Sequence, residues 1–394
     1  MINKSKKTEV VFTGAEAAAV AMKQINPGVI SIYPITPQTY IAENIAKFVA
    51  DGEMSTEQIN VESEHSALSV VTGAEAAGVR AMTATSSQGL ALMWEILSVV
   101  SGLRLPVVMN VVNRALSAPI NIHADHSDAM GARDLGWIQI FSENPQEVYD
   151  HTLLALKLAE NKDILLPVMV CQDGFITSHC SENMRILPDV IVKKFIGEYA
   201  PTNKLLDINN PITIGPLVLP DYFLEIKKMQ SEAILNALKI YLKIAKELSA
   251  LTGRSYDYFE EYKTKDAKAV IVVMSSSAGT TRQAIDELRQ KGLKVGLIKI
   301  RLFRPFPYEA IAKVLKNIKI IGVLDRAESL GAHPPLGAEI KNSLYGRKLM
   351  PIIKDYIYGL GGRDLTVEQI KDVYKNLLKQ KQQENSIEYI GLNE

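Results

Sequence analysis

The feature that most constrains the fold is an alternation of short apolar runs with longer amphipathic stretches, which begins near residue 13. Buried parallel strands read as continuous apolar runs, and the helices that cover a sheet read as amphipathic stretches. The alternation therefore predicts an α/β fold with a doubly wound parallel sheet. Such folds bind ligands at the carboxyl ends of their strands, so residues that follow an apolar run are the first candidates for function.

The first half of the chain contains four apolar runs that we interpret as strands of one sheet. The first predicted helix has a capping box formed by Thr13 and Glu16. Residues 198–220 then change character, since four prolines occur from Pro201 to Pro220 inclusive, and they predict an irregular crossover. The predicted strands cover residues 29–33, 81–85, 106–112 and 164–170.

A long amphipathic helix and a second α/β unit follow the crossover. Apolar residues recur at three- to four-residue spacing from residue 226 until Gly253, where we expect the helix to end. A chain of 394 residues is too long for one ordinary core, which favours two domains. Strand-like runs of the second unit cover residues 269–274, 295–300, 318–324 and 352–358. We predict a first domain with its crossover at 1–220, a helical interdomain connector at 221–264 and a second domain at 265–394.

The composition excludes several classes of function. Because 44 basic residues balance 44 acidic ones, the chain lacks the positive field that gathers nucleic acid or anionic lipid. Two cysteines, Cys171 and Cys180, are too few for a disulfide scaffold, a four-cysteine zinc site or an iron–sulfur cluster held by this chain alone. No run reaches the roughly 18 apolar residues of a membrane helix, and residues 1–12 contain no apolar signal segment. We therefore expect a cytoplasmic protein without nucleic-acid or membrane partners.

Three segments place polar groups after predicted strands. The segment 33–37 contains two prolines, which cannot donate to a sheet, and should form a rigid loop. Glu62 and Glu64 point the same way on extended backbone, so they either share a site or lie at a solvated edge. Arg114 follows the run 106–112, where its guanidinium could bind a substrate carboxylate through paired hydrogen bonds.

The segment 118–128 is dense in hydrogen-bonding groups. His123, Asp125, His126 and Asp128 could be metal ligands, but their spacing matches no helical zinc-binding pattern. We therefore interpret the segment as a loop that contacts substrate or another domain.

No standard nucleotide-binding fingerprint is present. The chain has neither the glycine pattern of a dinucleotide-binding fold after its first strand nor a phosphate-binding loop that ends in Gly-Lys-Ser/Thr. A nicotinamide-dependent dehydrogenase is therefore the weakest function considered. The segment 275–280 joins a predicted strand to a helix and could bind an anion, although a polar helix cap is the simpler explanation.

Taken together, these segments resemble a known family. YPITP at 33–37, VESE at 61–64, NRALSAP at 113–119 and DHSD at 125–128 resemble the α subunit of the multi-subunit 2-oxoacid:ferredoxin oxidoreductases, in particular pyruvate:ferredoxin oxidoreductase (pyruvate synthase). RPFP at 304–307 and GLGGRD at 359–364 resemble the second domain of that subunit. The resemblance implies a pyrimidine-type thiamine diphosphate domain followed by an α/β domain like the C-terminal domain of transketolase.

The same resemblance implies an enzyme, which oxidatively decarboxylates pyruvate with coenzyme A to acetyl-CoA, CO2 and reduced ferredoxin. This chain would supply the pyrimidine side of the thiamine diphosphate site. A β subunit would hold the diphosphate with Mg²⁺ and, with a ferredoxin-like δ subunit, the [4Fe–4S] clusters, and a γ subunit would complete the hetero-oligomer. Gln172-Asp173-Gly174 is the nearest approach to the Gly-Asp-Gly diphosphate motif, and we interpret it as coincidence.

Residue roles also follow from the resemblance. Glu64 matches the glutamate that hydrogen-bonds N1′ of the aminopyrimidine, which allows the cofactor to act as its own general base. Thr36 and Arg114 match residues that bind the substrate, and Pro34 matches a position that lines the cofactor. Glu62 matches no such role, and no metal ligand is assigned to this chain.

Two alternatives stay open at this point. Branched-chain 2-oxoacid enzymes share these motifs, so the substrate could be 2-oxoisovalerate instead of pyruvate. A subunit that kept the fold could also be a non-catalytic scaffold for cluster-bearing subunits, although the presence of Thr36, Glu64 and Arg114 argues against this.

Overall fold

The computed structural model describes residues 8–201, 203–347, 351–383 and 386–393. Within these ranges helices and strands alternate along most of the chain, and the strands form sheets of two, six and seven members. The strands are β1 (Thr8–Phe12), β2 (Val29–Ile30), β3 (Glu57–Gln58), β4 (Ala81–Thr85), β5 (Val108–Asn113), β6 (Ile138–Ser142), β7 (Val168–Asp173), β8 (Glu182–Ile186), β9 (Phe259–Tyr262), β10 (Ala269–Met274), β11 (Val295–Ile300), β12 (Leu302–Arg304), β13 (Ile320–Asp325), β14 (Ile352–Ile357) and β15 (Ile387–Tyr389). The helices are α1 (Gly14–Ile25), α2 (Thr39–Ala50), α3 (Glu64–Ala77), α4 (Ser87–Leu92), α5 (Trp94–Gly102), α6 (Ser127–Gly131), α7 (Pro145–Ala159), α8 (Ile176–His179), α9 (Asp189–Ile196), α10 (Pro220–Thr252), α11 (Ser277–Gln290), α12 (Tyr308–Leu315), α13 (Pro335–Leu344) and α14 (Val367–Lys379).

The seven-stranded sheet forms the centre of the first half of the chain. Its order is β12-β6-β7-β5-β4-β2-β3, and every neighbouring pair is parallel except β12 with β6. Parallel strands end at a common edge, so the loops that follow β2, β3, β4, β5 and β7 meet there. The predicted doubly wound α/β fold is confirmed.

Several strands of this sheet differ from the sequence prediction. β2 covers only Val29–Ile30 of the predicted run 29–33, and β3 and β12 were not predicted. β6 was not predicted, because Gln139 and Ser142 interrupt its apolar run, yet both side chains are buried. The run 164–170 does contain a strand, but β7 begins only at Val168, directly after Pro167, which has no N–H to donate to a ladder.

Helices cover both faces of the sheet. α1, α7 and the second half of α10 bury one face, and α3 and α5 pack on the other, whose apolar cluster also includes residues of β10, β11 and β13. The two halves of the chain thus share one apolar cluster.

The helix predicted to end at Gly253 does so, with that glycine at φ 73° as the C-cap. It begins at Pro220, and the preceding crossover contains no regular element between residues 198 and 219 among the described residues. From Ala233 onwards α10 packs against α7 of the first half.

The second half is built on the six-stranded sheet, in the order β15-β14-β13-β10-β11-β9. All four predicted runs are strands, and β10 and β11 have the predicted bounds. β9 lies within the predicted connector and pairs antiparallel with β11, while β12 crosses over to pair with β6 of the first sheet. The division at residues 220 and 264 stays a prediction.

Among the described residues, none of the helices combines the length and the apolar character needed to cross a lipid bilayer.

Candidate active site

Three residues predicted from the sequence lie after strands that end at the same sheet edge. Thr36 lies in the loop after β2, Glu64 begins α3 after β3, and Arg114 directly follows β5. Because β2, β3, β4 and β5 are parallel, these positions lie along one edge of the seven-stranded sheet.

Arg114 is held by two backbone carbonyls. Its Nη1 donates to the carbonyl of Thr36 at 2.8 Å, and its Nε donates to the carbonyl of Asn121 at 3.1 Å. The side chain is nearly buried, and burial lowers the pKa of its guanidinium from the ordinary value while the charge of Asp128 opposes that shift. No described residue accepts a hydrogen bond from Nη2, so this nitrogen can donate to a ligand.

Asp128 fixes the backbone around this arginine. Its buried carboxylate accepts hydrogen bonds from the backbone N–H of Arg114 and of Ser87, both at 3.0 Å, and from Nδ2 of Asn113 at 2.8 Å. Burial raises the pKa of Asp128 to about 6, although these hydrogen bonds oppose the shift. Asp128 therefore joins the loop after β5 to the start of α4.

Glu64 is a buried residue whose carboxyl group has no hydrogen-bond partner among the described residues. Ser63 caps α3 by accepting from the backbone N–H of Ser66 at 3.2 Å, which makes Glu64 the first helical residue. Glu64 is 7% exposed, and within the described ranges no group donates a hydrogen bond to its carboxyl group. A Cβ on Gly89 would lie 2.8 Å from Oε1 of Glu64 and 2.5 Å from the hydroxyl of Thr85, which also lacks a partner. Only glycine at this position leaves room for the carboxyl group.

Glu62 and Glu64 do not share a site. The helix start turns the backbone at Ser63, so Glu62 lies exposed and accepts a hydrogen bond from the hydroxyl of Ser66. That hydrogen bond lowers the pKa of Glu62. Of the two readings left open by the sequence, the solvated edge therefore describes Glu62.

The loop after β2 contacts the site mainly through its backbone. Thr36 is exposed, and it is its carbonyl that accepts from Arg114, which leaves the hydroxyl without a described partner. Pro34, in the same loop, is also exposed. The structure thus brings Thr36 and Arg114 into contact and leaves Pro34 at the surface of the loop.

The segment 275–280 does bind an anion, but the anion is a side chain of the same protein. Asp173, the last residue of β7, accepts from the backbone N–H of Ser276 at 3.1 Å and from its hydroxyl. Nη1 of Arg326 lies 2.9 Å and Nε2 of His126 lies 2.6 Å from the same carboxylate. Burial alone would raise the pKa of Asp173, but the charge of Arg326 and the hydrogen bonds hold it well below its usual value.

The candidate metal ligands in the segment 118–128 do not converge. His126 contacts Asp173, Asp128 binds backbone amides, Asp125 accepts from the N–H of Ser127 at 2.7 Å, and His123 is exposed. The segment does contact the second half of the chain, since the N–H of His126 donates to the carbonyl of Arg326 at 2.8 Å. That it also contacts substrate stays a prediction.

One acidic trio does converge within the described part of the chain, formed by Glu143, Glu147 and Glu260. The ammonium group of Lys299 lies 2.6, 2.7 and 3.2 Å from their respective carboxylates. The chain thus supplies its own cation to this trio, which makes it an ion-pair cluster between the two halves.

Two protein-family models match this chain, and the first match includes the strands and loops of this sheet edge. Residues 20–246 match the family model described as pyruvate flavodoxin/ferredoxin oxidoreductase, thiamine diphosphate-binding, and residues 267–370 match pyruvate:ferredoxin oxidoreductase core domain II. The chain belongs to the pyruvate:ferredoxin oxidoreductase family.

Members of this family are similar to the chain over almost its full length. The pyruvate synthase subunit PorA of Thermotoga maritima is 52% identical, and that of Methanocaldococcus jannaschii is 46% identical, each over 98% of both chains. The ketoisovalerate oxidoreductase subunit VorA of Pyrococcus horikoshii is 43% identical over 94% of this chain and 93% of its own.

Two solved structures share the fold. A 2-oxoglutarate:ferredoxin oxidoreductase from Magnetococcus marinus superposes with a TM-score of 0.72 at 21% identity, over 95% of this chain and 66% of its own. A split-gene transketolase in an inactive β4 tetramer superposes with a TM-score of 0.55 at 12% identity, over 94% and 99% of the two chains. The predicted transketolase-like architecture is therefore confirmed as a fold.

Several residues that shape the candidate site of this chain were not predicted from the sequence. Arg326 follows β13 directly, and Asp173 ends β7, so the rule that favours polar residues at strand ends could have found both. Asn121 and Gly89 lie within a loop and a short helix, and their contacts depend on elements far away in the sequence.

Proposed function

We propose that this chain is the α-type subunit of a pyruvate synthase, which oxidatively decarboxylates pyruvate with coenzyme A to acetyl-CoA, CO2 and reduced ferredoxin. The similarity to pyruvate synthase subunits at 52% and 46% identity supports this substrate over the branched-chain alternative. The proposal depends mainly on one observation. Glu64 and Arg114 lie at the same sheet edge, and each has hydrogen-bonding groups that no described residue uses.

Glu64 fits a cofactor that presents a ring nitrogen. The residue is 7% exposed, and its carboxyl group is unpaired among the described residues and accommodated by the missing side chain of Gly89. A buried polar group without a partner is costly, so such a group is expected where a ligand completes it. Thiamine diphosphate, when bound, supplies the nucleophilic carbon and the electron sink for cleavage of a 2-oxoacid. Glu64 would hold a proton between its carboxyl oxygen and N1′ of the aminopyrimidine.

Arg114 fits a substrate carboxylate. The two carbonyls that accept from Nη1 and Nε orient the guanidinium and leave Nη2 and the second N–H of Nη1 for a ligand. Two parallel charge-assisted hydrogen bonds would orient the carboxylate of the 2-oxoacid. These bonds weaken as that carboxylate leaves as neutral CO2, so they orient the substrate without retaining the product. Thr36 would add its free hydroxyl on the same side, and Pro34 would line the cofactor.

We propose that partner subunits bind the remaining parts of the cofactors that the reaction needs. An iron–sulfur cluster needs about four thiolates, and this chain has two cysteines, of which Cys171 is buried. Asp173 of the Gln-Asp-Gly segment is engaged by Arg326 and His126. We therefore place the diphosphate, Mg²⁺ and the [4Fe–4S] clusters in β and δ subunits beside a γ subunit, with coenzyme A as co-substrate and ferredoxin as acceptor. The cytoplasmic location expected from the sequence stays a prediction.

A branched-chain 2-oxoacid is the second candidate substrate, because the ketoisovalerate oxidoreductase subunit is 43% identical to this chain. Turnover of the assembled complex on pyruvate and on 2-oxoisovalerate distinguishes the two. We expect the higher kcat/KM for pyruvate, and a preference for 2-oxoisovalerate would replace the proposal by its alternative. A complex whose activity does not depend on this chain's site would favour the assembly-scaffold alternative.

The arginine provides a direct test of the site. Arg114→Ala should raise the KM for pyruvate about 10- to 100-fold, which corresponds to the loss of hydrogen bonds to a charged group. The KM for coenzyme A should stay unchanged. Arg347→Ala is the matched control, because Arg347 pairs with the exposed Glu309 on α12, in the second half of the chain. An Arg114→Ala enzyme with unaltered pyruvate dependence would contradict the proposed role.

A further inference from the structure

The loop that contains Arg114 lies against a turn of the second α/β half. We call residues 114–126 the arginine loop and residues 359–362 the glycine turn. Nδ2 of Asn121 donates to the carbonyl of Gly361 at 3.1 Å, and the N–H of Gly362 donates to the carbonyl of Ala124 at 2.8 Å. Two hydrogen bonds therefore connect the arginine loop to the glycine turn.

This contact leaves no room for a side chain at Gly361 or Gly362. A Cβ on Gly361 would lie 2.5 Å from Nδ2 of Asn121, and one on Gly362 would lie 2.4 Å from Cβ of His123. Both glycines also have positive φ angles, 62° and 80°, which other residues adopt only at a cost. The close approach of the two backbones thus depends on these two glycines.

Asn121 connects the glycine turn to the guanidinium of Arg114. Its backbone carbonyl accepts from Nε of Arg114 at 3.1 Å, and its Oδ1 accepts from the backbone N–H of His123 at 2.7 Å. The same residue thus binds the second half of the chain through its amide nitrogen, the arginine loop through its amide oxygen and Arg114 through its carbonyl.

The orientation of Arg114 depends on both of its carbonyl partners. An arginine side chain has many rotamers, and fixing it costs entropy that each acceptor helps to offset. If the carbonyl of Asn121 moved away, the carbonyl of Thr36 would hold one nitrogen only, and the plane of the guanidinium could rotate. A rotated guanidinium no longer offers its free N–H groups in the geometry of a carboxylate.

We infer that Asn121 is a positioning residue, which couples the glycine turn of the second half to the substrate-binding orientation of Arg114. The inference rests on the proposed function, in which Arg114 binds the carboxylate of a 2-oxoacid. It assigns the second half of the chain a part in the affinity for substrate.

The variant Asn121→Asp tests this inference most sharply. An aspartate keeps an oxygen that accepts from the N–H of His123, but it cannot donate to the carbonyl of Gly361. If Asn121 only stabilised the local turn, Asn121→Asp would behave like the natural enzyme. If it couples the glycine turn to Arg114, Asn121→Asp and Asn121→Ala should both raise the KM for pyruvate about tenfold, the effect of one lost hydrogen bond.

The measurement uses the fully assembled enzyme and compares KM for pyruvate, KM for coenzyme A and kcat. Only the KM for pyruvate should change by about tenfold, because the reacting groups stay in place. Asn342→Asp, an exposed substitution on α13, is the matched control for the added charge and should leave all three constants unchanged. An Asn121→Asp enzyme with the natural KM for pyruvate overturns the inference.

A double variant separates the inference from the proposed function. On an Arg114→Ala background, Asn121→Asp should cause no further rise in the KM for pyruvate, because the two residues act in one unit. If Arg114→Ala raises this KM and Asn121→Asp does not, the inference fails and the proposed function stands. If Arg114→Ala leaves the KM unchanged, the proposed function fails and the inference fails with it.

Discussion

Two buried carboxylates at the same edge of one sheet differ in how their charge is accommodated. Asp173 receives hydrogen bonds from Ser276, His126 and Arg326, all of which belong to the same chain. Glu64 receives none from any residue that the structure describes, although only 7% of the residue is exposed to solvent. Burial of a charge costs several kcal/mol unless partners offset it. A carboxylate that its own chain satisfies therefore indicates a structural role, and one that it leaves unsatisfied indicates a ligand.

The largest expected effect concerns the unsatisfied carboxylate. Glu64→Gln should lower the turnover of the assembled enzyme about 10²- to 10⁴-fold, the range for a lost group in acid–base catalysis. The free energy of unfolding should hardly change, because Glu64 has no hydrogen-bond partner among the described residues that the substitution would remove. The direct measurement is exchange of the C2 proton of bound thiamine diphosphate, followed by NMR.

Glu62→Gln is the matched control for this change, since Glu62 is exposed two residues away. It should leave both turnover and C2 exchange at their natural values. Unchanged C2 exchange in the Glu64→Gln enzyme would show that an unpaired carboxyl group at this edge does not identify the cofactor site.

The next largest effect concerns the satisfied carboxylate. Arg326→Met would leave the charge of Asp173 buried without its cation and should lower the free energy of unfolding by about 3–5 kcal/mol. Arg347→Met removes an exposed ion pair with Glu309 and should cost less than about 1 kcal/mol. Denaturant unfolding of the purified protein measures both. Equal effects of the two substitutions would refute the structural role of Asp173.

The pH dependence of this interaction has a defined sign. Because Arg326 and the hydrogen bonds hold the pKa of Asp173 below its unfolded value, the carboxylate stabilises the folded protein at neutral pH. That stabilisation is complete above about pH 4 and is lost as the pH falls towards the folded pKa. The double variant Asp173→Asn, Arg326→Met should therefore lose less stability between about pH 4 and pH 2 than the natural protein.

A third buried carboxylate, Glu75 on α3, lies between these two cases. Neutral groups provide its hydrogen bonds, the hydroxyl of Tyr199 and the N–H of Ala81 at 2.7 Å. Burial raises its pKa from 4.5 to about 8. Its contribution to stability is therefore complete below the unfolded pKa and is lost as the pH rises through about 8.

Glu75→Gln should accordingly flatten the decline of stability with rising pH. The difference in the free energy of unfolding, variant minus natural protein, should increase by on the order of 2 kcal/mol between pH 5 and about pH 9. Unfolding at pH 5, 7 and 9 measures this, with the exposed Glu43→Gln on α2 as control. Parallel pH profiles of the natural protein and Glu75→Gln would contradict the expected effect.

The sequence predicts the part of this site that local pattern determines. Arg114 and Thr36 follow apolar runs, and strand ends meet at one edge of a parallel sheet, so their proximity could be expected. The same rule selects Asp173 and Arg326 as polar residues at strand ends. Their contact with each other could not be expected, because they are separated by 153 residues and meet only where the two halves pack. Glu62 and Glu64 were ambiguous for a different reason: one cap at Ser63 decides which carboxylate is buried.

The roles proposed for Glu64, Arg114, Thr36 and Pro34 stay predictions, as does the division of the chain at residues 220 and 264. The fold and the family are confirmed. The physical difference is that a fold follows from repeated apolar patterns over hundreds of residues, whereas a site depends on single contacts.

The strand β12 has a consequence for how this polypeptide can be made and recombined. Its residues pair with β6 in the first sheet, although they follow β11 of the second. During translation β6 cannot pair with β12 until the residues through Arg304 have been synthesised and have left the ribosome. A fragment that stops earlier exposes β6 to strand addition by other chains and invites aggregation. Chimaeras that exchange halves between relatives should therefore have their junction after Arg304.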